Sequence, residues 1–143
     1  MPIREIATWI ENNSAWVIGT DFFVGHLPLK TPAKTDPPDR CQTILENTPG
    51  AVEGQLPDRK DKMIQIRSRS KNYTEAKTDA DALFDLMHGT HGWDLPELTP
   101  GVKLLAMTVD AMGTPAPVEN PNEEGFFVFS ANYLWRIEDG ECG

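Results

Sequence analysis

Histidine, cysteine and basic side chains are all scarce in this chain, and each shortage closes off a class of function. Three His and two Cys are spread through 143 residues, and no pair of cysteines stands at zinc-ligand spacing. Cys41 lies far from Cys142, which is almost at the C-terminal end, so free thiols are expected rather than a disulfide framework. Thirteen Lys and Arg against 22 Asp and Glu leave a net charge of -9. That is the wrong sign for general nucleic-acid binding, which neutralises phosphate with a cationic excess. No stretch approaches the ~18 consecutive apolar residues of a membrane helix, so the protein is expected to be soluble. The opening MPIREIATWIENN lacks the basic region, long apolar core and small-residue cleavage site of a secretory signal, which points to synthesis in the cytoplasm. Gly-rich phosphate loops and nucleophile elbows are missing as well.

What is present is organised around Asp58–Gly89. Ile64 and Ile66 alternate with Gln65, Arg67 and Arg69, the period of two that puts apolar side chains on one sheet face and charged ones on the other. From about Thr74 the period changes: Ala80, Leu83, Phe84 and Met87 fall at i, i+3, i+4 and i+7, one face of a helix. Thr78 with Asp81 offers a cap for an internal or late helix start. Gly89 ends the helix, where a positive φ is needed.

Around that unit the chain reads in order. Pro2 suits a first helical turn, and Ile3, Ile6, Ala7 and Ile10 predict a helix to about Glu11. Trp16–Ile18 and Phe22–Val24 are two short β-prone runs, a bent strand or a small hairpin. Residues 27–38, LPLKTPAKTDPP, hold four prolines, which exclude a helix or a central strand and predict an exposed arm. Cys41, Thr43 and Leu45 alternate with Gln42, Ile44 and Glu46 as a further strand. After Gly89, THGWDLPELTPG reads as a loop pinned by Trp93, and Leu105–Ala111 as a strand. Residues 113–125, GTPAPVENPNEEG, read as an acidic, Pro-rich loop too long for a tight hairpin. Phe127, Phe129, Ala131, Tyr133 and Trp135 then share one face of a last strand, and its two-sided apolar character places it inside a sheet. The sum is a single α+β domain, residues 1–143, with a mainly antiparallel sheet of four to five strands and two helices packed on one face.

Charge is distributed unevenly. Residues 1–57 carry 4 basic and 7 acidic side chains, 58–77 carry 7 and 3, and 78–143 carry 2 and 12. A positive segment beside a strongly negative C-terminal half suits head-to-tail pairing of subunits, although charge runs more often simply face water. The alternation Arg67, Arg69, Lys71 and the acidic pair Asp79, Asp81 are the candidate subunit or partner interface. In an acidic chain the partner of such arginines is expected to be a protein surface. Asp79 and Asp81 read as helix-start charges rather than catalytic carboxylates. His88, His91 and Asp94 within HGTHGWD are the one metal-like constellation, but two intervening glycines and the helix end weaken it, and a His at a helix C-terminus is already explained by the dipole. No catalytic residue, cofactor or metal is expected.

The order of motifs WVIGTDFFVGHLP, DRCQTILENTPG, LPDRKDKMIQIRSRSKNYTEAKTDADALFDLMHG, GWDLP and GFFVFSANYLWRI resembles the minor capsid and tail-terminator proteins of long-tailed bacteriophages. The resemblance implies a small α+β virion subunit with a tail-terminator-like fold and no active site. It implies assembly into a ring, often hexameric, which caps the tail tube at the head-tail junction and contacts the tail tube protein and the head connector or neck protein. Sequence-specific nucleic-acid binding and membrane association are not implied. The alternatives are a head-completion or neck adaptor, a monomeric regulatory module acting through Arg67 and Arg69, and a hydrolase using a metal at His88, His91 and Asp94.

Overall fold

The computed structural model describes residues 2–25, 36–48, 59–89, 91–98, 100, 104–119 and 125–139. Its elements run α1 (Pro2–Asn12), β1 (Phe22–Val24), β2 (Cys41–Thr48), β3 (Arg59–Ser70), α2 (Tyr73–Met87), β4 (His91–Asp94), β5 (Leu104–Ala111), β6 (Ala116–Glu119) and β7 (Phe127–Asp139). One sheet holds all seven strands in the order β1-β2-β3-β7-β5-β4, with β6 pairing β7 beyond the end of β5. Every pairing between named strands is antiparallel except β1 with β2, so the sheet is mixed.

This is the expected α+β architecture, with more strands than the four to five expected. The additional ones, β4 and β6, are short and lie where no alternation is readable, whereas β1, with three residues, is the second of the two expected β-prone runs. β4 sits in the His-Gly stretch read as a loop, and β6 lies inside the 113–125 connection and contains Pro117. A proline is tolerated there because β6 is at the sheet margin, where a missing N–H breaks no ladder on the outer side. The Trp16–Val24 stretch is neither a bent strand nor a hairpin. Val17 O accepts from Thr20, Asp21 and Phe22 N–H, so the chain turns tightly, and only Phe22–Val24 joins the sheet beyond an isolated bridge at Ile18. Most of the Pro-rich arm, and the side chain of Trp93, lie outside the described residues.

β7 runs between β3 and β5, as its two-sided apolar character implied. Its register with β3 puts Tyr133 opposite Ile64, Ala131 opposite Ile66 and Phe129 opposite Ser68. All of these point to the helix side, where Ile6, Ala7 and Ile10 of α1, Leu83 and Met87 of α2 and Ile44, Val109 and Trp135 of the sheet form the main core. A fully buried Leu- or Ile-sized side chain is worth roughly 1.5–3 kcal/mol, so this face holds the fold together. Both helices therefore cover the same face. Ala76 and Ala80 of α2 form a smaller cluster with Phe129, where small side chains let the helix approach the sheet closely.

α2 begins earlier than Thr78. Asn72 is its N-cap, in extended conformation (φ -112°), with Oδ1 accepting from Glu75 N–H at 3.2 Å. Thr78 and Asp81 lie within the helix and cap nothing. The end is as expected: His88 caps α2, and Gly89 follows at φ +77° with its N–H donating to Val109 O at 3.0 Å.

Candidate functional site

The two layers give the molecule two unlike outer faces, one the open side of the sheet and the other the outer side of α2. Cross-strand rows run over the open face. One row is Thr43, Arg67, Ser130 and Ala116, and the next is Cys41, Arg69 and Val128. Arg67 is exposed, with Nε donating to Gln65 Oε1 at 3.1 Å. Leu45, Met63, Val128 and Leu134 on this face are only half-buried.

The five residues singled out from the sequence do not act together. Arg69 is committed within the fold: Nε donates to Cys41 Sγ at 3.2 Å, Nη2 donates to Pro38 O at 3.1 Å, and the guanidinium lies 4.1 Å from the Phe126 ring centre. Lys71 lies beside the same ring at 5.4 Å and 3.9 Å from Asp39, in a well-solvated pair. Asp79 is not a solvated helix-start charge. It is 4% exposed in the middle of α2, where its carboxylate accepts from Arg40 Nε at 2.9 Å, Arg40 Nη2 at 2.7 Å and Gln42 Nε2 at 3.3 Å. Asp81 pairs with Lys77 one turn away at 2.9 Å. Arg67 alone of the three basic residues presents its terminal nitrogens to solvent without an ion pair among the described residues.

Sequence reasoning missed Arg40, Gln42 and Phe126. Arg40 bridges the start of β2 to α2 through Asp79 and Glu75, and Asp79 holds its guanidinium above the ordinary value, mainly by hydrogen bonding. Gln42 is fully buried and links Asp79 to Ser68, whose hydroxyl donates to Gln42 Oε1. The network ties β2, β3 and α2 together at the point where the arm rejoins the sheet. The one readable signal was Gln42 and Ser68 on the apolar-facing positions of their strands, where a polar side chain needs a buried partner.

Among the described residues, His88 is held by structural contacts. His88 Nδ1 accepts from Ala111 N–H at 3.1 Å, and its ring stacks on Phe84 with centres 5.0 Å apart. The His91 side chain lies outside the described residues, and among those described no three His, Cys, Asp or Glu converge as metal ligands. Cys41 is buried, and desolvation pushes its thiol up, against the pull of Arg69. No described helix is long and apolar enough to cross a membrane.

A comparison with protein families finds a match: the family model described as bacteriophage tail terminator protein covers residues 10–139. The chain belongs to the bacteriophage tail terminator family. Its match runs from the last turn of α1 to the end of β7, so the family pattern covers the sheet, α2 and both proline-rich connections. The curated proteins yield no match. As a terminator family member the chain is a structural protein of a phage tail, which accords with a surface of charged and half-buried aliphatic side chains.

Proposed function

We propose that this terminator forms a ring, hexameric in the simplest reading, that caps the head-proximal end of the tail tube and joins it to the head connector. It acts as a single-domain structural subunit and not as an enzyme, and its place in the virion is the head-tail junction. The observation that carries this reading is the family match over residues 10–139. The unlike outer faces support it, because a ring closes through heterologous contacts in which one surface of a subunit meets a different surface of the next. Arg67 is the centre of the proposed contact surface on the open sheet face, with Arg69 and Lys71 at the end of the same strand, while Asp79 and Asp81 belong to the α2 side of the subunit. The tail tube protein and the connector are the proposed partners.

Immunogold or tagged-subunit imaging of virions tests the placement. Label at one point per particle, between head and tail, is the expected outcome. Label along the tail, or on isolated heads but never on isolated tails, would refute the capping role, and the second pattern is that of a head-completion adaptor.

A further inference from the structure

The open face of the sheet is built like the inner face of a third layer that the subunit itself does not supply among its described elements. Leu45, Met63 and Leu134 are half-buried there without a covering helix, and a sheet face with aliphatic side chains gains stability when another element packs on it. In the centre stands Arg67, exposed, with a hydrogen bond to Gln65 but no carboxylate partner among the described residues.

The opposite surface of the molecule carries the complement. On α2, Ala76, Ala80, Leu83 and Met87 face the core, which leaves Thr74, Thr78, Asp81, Ala82 and Asp85 on the outer side at helical spacing. Asp81 and Asp85 are one turn apart on the same side of the helix. Asp85 is exposed and has no ion-pair partner among the described residues. Small side chains at Thr78 and Ala82 keep this surface flat.

We propose that the outer face of α2 in one copy of this chain docks on the open sheet face of the next copy, with Asp85 received by Arg67. The proposal rests on the ring reading above and specifies its interface. The occupant is a second copy of the chain because both halves of the charge pair are present in it, on opposite faces. Such a contact cannot be satisfied mutually in one pair of subunits and instead propagates head to tail, closing into a ring where the rotation between neighbours divides a full turn. It supplies the missing layer, since α2 of the neighbour makes the sheet a filling between two helical layers.

Charge reversal tests it. Arg67→Glu faces Asp85 across the contact, and Asp85→Lys faces Arg67, so each variant alone should shift the assembly midpoint to about tenfold or higher concentration relative to the wild type. Both positions are exposed, so circular dichroism and thermal melting of each variant should match the wild type. Mixing the two variants should restore assembly, because alternating subunits then present Glu to Lys at one contact and Arg to Asp at the next. Variants that assemble like the wild type would overturn this interface while leaving the ring standing, as would a mixture that stays apart. A wild-type protein that is monomeric throughout would overturn the ring reading and this interface with it.

Discussion

Replacing Asp79 removes the acceptor on which the β2–α2 connection depends, and its two partners, Arg40 and Gln42, respond differently. Gln42 is fully buried and would keep an unpaired amide N–H, which costs about 1–3 kcal/mol. Arg40 loses two charge-assisted bonds, but its side chain is 46% exposed and can turn to water, so that loss is about 0–1 kcal/mol. Asp79→Ala is therefore expected to destabilise by about 2–3 kcal/mol. Removing the exposed partner is expected to cost no less, because Arg40→Ala leaves a carboxylate that is 5% exposed without its cation, an uncompensated charge worth about 2–4 kcal/mol after allowance for the solvated side of the pair. The double variant should cost less than the sum of the two, since with the carboxylate gone the loss of Arg40 matters little. Urea unfolding checks this: each single variant should lower the midpoint by about 1 M at constant slope. Single variants within about 0.5 kcal/mol of the wild type, or strictly additive costs in the double variant, would refute the reasoning.

Other outcomes follow from single groups. Gly89→Ala meets no heavy atom within 4 Å of the new Cβ, so only the backbone strain of φ +77° opposes it; a loss of about 1 kcal/mol, or roughly 2–4 °C in Tm, is expected, with Gly89→Asn milder. Burial holds the Tyr133 hydroxyl well above the ordinary tyrosine range. The unfolded chain then releases this proton at about pH 10 while the native state retains it. Tyr133 therefore leaves stability unchanged at lower pH and reduces it progressively above about pH 10. In a Tyr73→Phe background, tyrosinate absorbance should rise together with unfolding, and a rise in the fully folded protein would contradict the burial.

How much of this was legible in the sequence depends on the range of the interactions involved. The strand around Ile64 and Ile66, α2 and β7 were readable because each carries its own apolar period, long enough to distinguish two from 3.6. β1, β4 and β6 have three or four residues and lie among Gly and Pro, and their existence depends on a neighbouring strand. Asn72 was overlooked as a cap because Thr78 and Asp81 look like a capping box, and only the observed geometry shows which residue has extended backbone. Asp79 was misread for a different reason. Its partner Arg40 lies 39 residues earlier, and a carboxylate on the flank of a helix looks solvated until the strand beside it is placed. Arg67 was readable as outward-facing from alternation alone, whereas the loss of Arg69 to Phe126 and Pro38 was not, since both contacts come from outside its own strand.

The proposed assembly of this chain is a ring closed through unlike faces. Light scattering of the purified protein over a concentration series, with negative-stain imaging of the largest species, tests it directly. One discrete assembly is expected, with a mass that is a fixed multiple of the 15.9 kDa chain and the image of a closed ring. A monomer at every concentration, or growth without a limiting size, would contradict it.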